Sequence, residues 1–279
     1  MATRRELASY ARPPLTEVVL SVQFEPIPDF NVAVLGQVWA AFRDNFPQVK
    51  HYPPIAPEIE RVGIVLKQGT DSAFVSEYPP PRLWFLDALG QELIQVQSDR
   101  FVRNWRKTSD NDAYPRYEKH IRPLFVRDYQ LFLRFLEKQG IGPLVPNQCE
   151  VTYLNMIPLE NVARPFQALD QVLRFLTFKP IEIEGLHFQD AGCNFNHTIE
   201  DEDGTFQGRV RVSAGPAIKR TDGSPAITLN LTARGQPIGS GIEGVLGFFD
   251  LGRRYIIEMF EAITTQEMQE KWGRLNVRE

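Results

Sequence analysis

Leu15-Thr-Glu-Val-Val-Leu-Ser-Val-Gln-Phe24 is the stretch on which the reading of the fold turns. It is rich in β-branched residues and prolines stand on both sides of it, so it reads as a strand. Val18, Leu20, Val22 and Phe24 share one face, and Glu17, Val19, Ser21 and Gln23 share the other. An amphipathic helix is expected next, over residues 31–45. Val34, Leu35, Val38, Trp39 and Phe42 fall at helical spacing, Asp29 or Asn31 can cap it, and Pro47 stops it. After a proline-rich stretch, strands are expected near 61–67, 72–78, 82–86 and 92–97, with a turn at Asp87-Ala-Leu-Gly90. An extended piece over 100–106 and a long helix over 115–138 complete the first half. Gly140-Ile-Gly-Pro-Leu-Val-Pro146 reads as a linker.

The second half repeats the order. A strand is expected over 148–157, a helix over 165–178, strands over 185–199, 205–214 and 226–234, and a long helix over 243–263. A short helix opening at Thr264 or Thr265 ends the chain. Sliding the chain over itself by 133 positions pairs Pro13 with Pro146, Glu17 with Glu150, Val18 with Val151, Phe42 with Phe175 and Pro47 with Pro180. The expected fold is therefore α+β, with residues 1–139 and 147–279 as tandem repeats joined by linker 140–146. Each repeat runs strand, helix, antiparallel strands, helix, and together they build one antiparallel sheet with its helices on one face.

The chain has 279 residues, of which 24% are charged and 43% apolar or aromatic, values that rule out disorder, collagen-like repeats and a disulfide scaffold. The net charge is −4 and the pI about 5.7, which argues against nucleic acid as a partner. Two cysteines, Cys149 and Cys193, make no framework and suit a reducing cytoplasm. Residues 1–12 carry charges and no apolar run, so no secretory signal is expected. No stretch is apolar enough to span a membrane.

Several segments carry a likeness when taken together: Pro13–Phe24, Leu93–Arg106, Tyr114-Pro-Arg-Tyr117, Glu150–Ile157 and Thr264–Gly273. They resemble a sporadically distributed bacterial family of uncharacterised proteins, almost end to end. That resemblance carries no catalytic residue with it. Its patchy distribution implies an accessory or mobile role, such as defence or a toxin–antitoxin partnership. The duplicated order is also similar, at the level of fold alone, to the saddle of the TATA-binding protein.

No nucleophile elbow occurs, and Gly239-Ser-Gly241 reads as the start of a helix. His187, Cys193 and His197 lack the tight pairing of zinc ligands, so neither metal nor cofactor is expected. Glu182-Ile-Glu184 and Glu58-Ile-Glu60 resemble the alternating glutamates of CYTH-type triphosphate enzymes but lack the accompanying lysine. Residues 100–127 carry a net positive charge. Within them Arg100, Arg103, Asn104, Trp105, Arg106, Tyr114 and Tyr117 combine guanidinium and aromatic groups as an anion- or partner-binding region would. The competing reading is an internal ion-pair network with Asp99 on Arg103 and Trp105 in the core. Strand parity places Arg209, Arg211 and Arg234 on the polar face with Thr228 and Asn230, where Glu17 and Glu150 could answer them.

The expected function is non-enzymatic recognition of a protein partner, a second copy or an anionic ligand, through the polar sheet face or the Arg100–Tyr117 region. The alternative is an enzyme acting on a nucleotide or another anionic small molecule in a pocket between the halves.

Overall fold

The computed structural model describes residues 7–63, 80–159, 168–177 and 183–275. The chain runs β1 (Ser9–Tyr10), β2 (Leu15–Phe24), α1 (Val32–Phe42), β3 (Gln48–Tyr52), β4 (Arg82–Leu86), β5 (Glu92–Gln97) and β6 (Arg100–Arg106), then a π turn (Tyr117–Ile121) and α2 (Arg122–Lys138). It continues with β7 (Pro146–Pro158), α3 (Leu169–Val172), β8 (Cys193–Glu200), β9 (Phe206–Ile218), β10 (Pro225–Gly235), α4 (Gly241–Ile263), α5 (Gln266–Lys271) and β11 (Arg274–Leu275). Nine strands form one antiparallel sheet in the order β3-β4-β5-β6-β2-β7-β10-β9-β8, and β1 pairs with β11 separately.

The sheet is built outward from the central pair β2–β7, where Leu20 faces Val151 and Ser21 faces Glu150. In both halves the first strand is innermost, the last strand lies beside it, and earlier strands follow toward the edge. Among the described residues the first half adds one strand more to this sheet, β3, which the sequence reading did not expect. Glu17 faces Arg106 across β2–β6, as Glu150 faces Arg234 across β7–β10.

The strand alternation read from 15–24 is present. Val18, Leu20, Val22 and Phe24 are fully buried on the side that carries the helices. Phe24 meets Phe132 of α2, Phe101 of β6 stacks on the same ring, and Phe125 meets Phe249 of α4 edge-on. Each such aromatic side chain contributes about 1.5–3 kcal/mol by leaving water. One continuous core therefore runs under both halves. Gly252 lets α4 sit close to the sheet, since a Cβ there would lie 3.0 Å from the Ala233 Cβ and 3.5 Å from a Val151 methyl.

The caps behave as read. Asn31 accepts from the amides of Ala33 and Val34, and Thr265 caps α5 by accepting from Met268. The helix expected over 165–178 is reduced to α3, because Leu173 leaves the helix to bridge Thr264 at the end of α4; residues 165–167 and 178 lie outside the described part. The strand expected over 185–199 begins at Cys193. Residues 61–63 are not a strand, and the expectations over 64–67 and 72–78 fall outside the described residues. The helix expected from 115 opens instead with the π turn, which follows Arg116 at φ 75°. No described helix is long and apolar enough to cross a membrane.

Candidate recognition face

Antiparallel register places side chains of facing residues on the same side of a sheet. Arg234 faces Arg209 and Thr232 faces Arg211, so the three guanidiniums share the side opposite the helices, as parity predicted. Val210, Val212, Leu229 and Leu231 are buried on the other side. This polar face is not simply solvated. Residues 53–63, leaving β3, run across it as an extended strap.

The strap is held by polar side chains from six successive strands, one from each of five and two from β9. On β5, Gln97 binds Ile55 twice, accepting from its amide at 2.9 Å and donating to its carbonyl at 2.8 Å. On β6, Arg100 donates to the carbonyl of Ala56 at 3.2 Å. Gln23 of β2 accepts from the Glu58 amide at 2.9 Å, and Gln148 of β7 accepts from the Glu60 amide at 3.1 Å. Arg234 of β10 pairs with Glu58, and Arg209 of β9 donates to the carbonyls of Arg61 and Gly63 at 2.9 and 3.1 Å. Gln97 faces Arg100, Arg100 faces Gln23 and Gln23 faces Gln148, so these four form one row across the strands.

Glu60 closes the arrangement. It is only 4% exposed. Arg211 donates to its Oε1 at 3.0 and 2.5 Å, the Arg209 Nε lies 3.3 Å from Oε2, and Arg234 is 3.9 Å away. Arg234 also donates to Glu150 at 2.8 Å. Burial brings the Arg234 guanidinium down to about 10 and pushes the Glu150 carboxyl up. Of the two glutamates expected to answer the arginines, Glu150 does so and Glu17 does not. Glu17 accepts from Asn104 at 2.6 Å, beside Arg106. Glu58 and Glu60 supply the remaining charge.

The Arg100–Tyr117 region is divided by the alternation of β6. Arg100, Asn104 and Arg106 point to the polar face, where Arg106 donates to the Gly90 carbonyl at 2.8 Å and lies over the Trp84 ring. Arg103 and Trp105 point to the helices, at 2% and 3% exposure, and offer nothing to an external partner. Arg103 donates to Asp128 of α2 at 2.8 Å and to Glu92 at 2.6 Å, and His120 contacts the other Glu92 oxygen at 2.6 Å. Asp99, in the turn between β5 and β6, accepts from Gln97 instead, which corrects the expected Asp99–Arg103 pair.

Tyr114 and Tyr117 lie on the helix side, in a pocket of about 960 Å³ lined by residues of both halves. Tyr114 and Tyr153 share a hydrogen bond at 3.2 Å, and Tyr117 donates to Asp250 at 2.8 Å. Burial raises all three phenols, so they stay protonated near neutral pH.

Cys193 and His197 share one face of β8, and His187 lies in the loop before it. No group of three or more His, Cys, Asp or Glu that could hold a metal occurs among the described residues. No model of a known protein family matches the chain, and no curated protein matches it.

Sequence reasoning missed the role of Gln23, Gln97 and Gln148, and it read Glu58 and Glu60 only against the triphosphate-enzyme pattern and not as partners of the arginines. A usable signal was present: the three glutamines sit at or beside the ends of strong strands, and Glu58 and Glu60 alternate as three arginines do on β9 and β10.

Glu17 gives a pH-dependent expectation. Burial raises its carboxyl above the usual range, outweighing the Asn104 hydrogen bond and Arg106. A raised acid binds more protons folded than unfolded, so stability falls as pH rises from the unfolded pKa through the folded one. Glu17→Gln keeps an acceptor for Asn104 and is expected to raise the urea midpoint near neutral pH. The gain should vanish near pH 4. Urea midpoints at pH 4 and 7.5 test this, and a gain at both pH values would contradict it.

Proposed function

We propose that this chain is a cytoplasmic recognition protein whose polar sheet face takes an extended acidic polypeptide segment, with residues 53–63 acting as the intramolecular stand-in for it. The observation that carries the reading is the row of amides and guanidiniums from six successive strands that engages a chain mainly through its backbone and two carboxylates. Backbone-directed contacts tolerate many side chains, and the arginine trio selects two acids spaced like Glu58 and Glu60. Both cysteines are free, in keeping with a reducing compartment.

The rival reading, an enzyme in the pocket between the halves, has a real pocket to rest on. Its phenols, kept protonated by burial, serve there as hydrogen-bond donors and not as bases, which supports binding over proton abstraction.

The test uses a peptide of the strap sequence, Pro53-Pro-Ile-Ala-Pro-Glu-Ile-Glu-Arg-Val-Gly63, titrated calorimetrically. The native chain should bind it weakly, because a tethered strap competes at an effective concentration of about millimolar. A Glu58→Ala/Glu60→Ala variant, its own strap loosened, should bind at least tenfold more tightly. A peptide with both glutamates changed to glutamine should fail. Equal affinity of the two proteins, or no binding by the variant, would remove the basis for the reading.

A further inference from the structure

The pocket on the helix side is independent of the strap face, and its composition is particular. Leu15, Leu231, Ile256, Ile257 and Phe260 give it an apolar wall. Among the described residues its charged lining is Arg116, Lys119 and Arg253 against Glu118, a cationic excess. Its size matches pockets that enclose small organic ligands.

The polar groups converge from separate elements. Tyr114 precedes the π turn, Tyr117 lies in it, Tyr153 comes from β7 and Arg253 from α4. Arg253 lies 4.8 Å over the Tyr117 ring and pairs with Glu118 at 2.8 Å. Glu118 is 62% exposed, so that pair is solvent-screened and weak, and an incoming anion can replace it. The Arg253 Nε is buried and has no hydrogen-bond partner among the described residues, while the guanidinium interacts with the Tyr153 hydroxyl. Two irregularities shape the mouth. Arg116 holds φ 75°, a conformation costly for a residue with a side chain, and the turn after it is a π turn. Such features concentrate at functional sites. Arg116 is held in place by donating to the Ser9 hydroxyl at 3.2 Å and the Tyr10 carbonyl at 3.1 Å.

We infer that this pocket binds an amphipathic organic monoanion, a carboxylate with an acyl or aryl body, its head on Arg253 and the Tyr114–Tyr153 hydroxyl pair and its body on the Leu231–Ile256–Phe260 wall. The phenol that accepts within the pair is free to donate its own proton to the head, because burial keeps both protonated. The positive mouth excludes cationic amphiphiles, and an uncharged analogue cannot take the place of the Glu118 carboxylate on Arg253.

The probe is 1-anilinonaphthalene-8-sulfonate, with displacement by decanoate, decanol and decylammonium. The native chain should bind the dye saturably at one site. Decanoate should displace it at a concentration at least tenfold lower than decanol does, and decylammonium should not displace it. Tyr153→Phe, which keeps the ring, should weaken decanoate severalfold and leave decanol unchanged. Lys119→Glu alters an exposed side chain and is not expected to disturb folding; it should weaken decanoate and not decanol. Equal potency of decanoate and decanol, no saturable dye binding, or unchanged decanoate affinity in both variants would overturn the assignment. So would dye binding that appears only after residues 1–6 are removed, since the pocket would then belong to the chain's own end.

Discussion

Reversing both charges in an Arg209→Glu/Arg211→Glu variant is expected to release the strap while leaving the sheet folded. On a merely solvated face such changes would cost within about 0.5 kcal/mol per site. Here Glu60 is buried against both side chains, and leaving a buried carboxylate among like charges costs about 3–5 kcal/mol. The chain has a cheaper escape than global unfolding. The strap carries no part of the hydrophobic core, so it can lift off and return Glu60 to water, which caps the loss at the strap's own free energy of attachment. Glu58 will not retain it, because its partner Arg234 holds a carboxylate that is 54% exposed. Hydrogen exchange reads this directly. The amides of Ile55, Glu58 and Glu60 are bonded to Gln97, Gln23 and Gln148 and should lose their protection in the variant. Amides of the central β2–β7 pair should keep theirs. Native-like protection of the strap in a folded double variant would show that the backbone contacts suffice and that the arginine trio holds nothing.

The second large effect is expected at Arg103→Met, with a loss of about 3–5 kcal/mol in urea unfolding. The guanidinium lies under α2, bonded to Asp128 and Glu92. Its removal strands Asp128, whose other partner, Arg127, is half in solvent. Glu92 fares better, since it keeps His120. Adding Asp128→Leu should restore most of the loss, because an apolar pair of similar volume replaces a buried ionic one at little net cost. A single-variant loss below about 1 kcal/mol would mean that Asp128 reaches water. The same expectation bears on interface mapping. A partner lost by changing Arg103 reports a damaged fold, so a binding test of this strand belongs at Arg106, which lies half-buried on the polar face.

What the sequence determined by itself is what the backbone decides locally. Side chains alternate along a strand with a period of two, so the apolar positions of β2, β9 and β10 were enough to place Val18 and Leu20 inward and Arg209, Arg211 and Arg234 outward. The caps were legible to within a choice of two, Asp29 or Asn31 and Thr264 or Thr265, because a cap binds amides two or three residues away; the structure takes Asn31 and Thr265. Parity gave no answer in β6, where Phe101, Val102 and Trp105 put apolar groups on both faces and arginines alternate with them. There only packing against α2 decided that Arg103 goes in and Arg106 out. The partners of the outward arginines were also beyond local reach. Glu58 and Glu60 lie 176 and 151 residues from Arg234 and Arg211. Glu17 looked equally suited, but antiparallel pairing of β2 with β7 puts Ser21, not Glu17, beside Glu150 and carries Glu17 away toward Arg106. A carboxylate's partner is set by which strands become neighbours and in what register. That choice is made by burial of the whole core at once, and no window of sequence contains it.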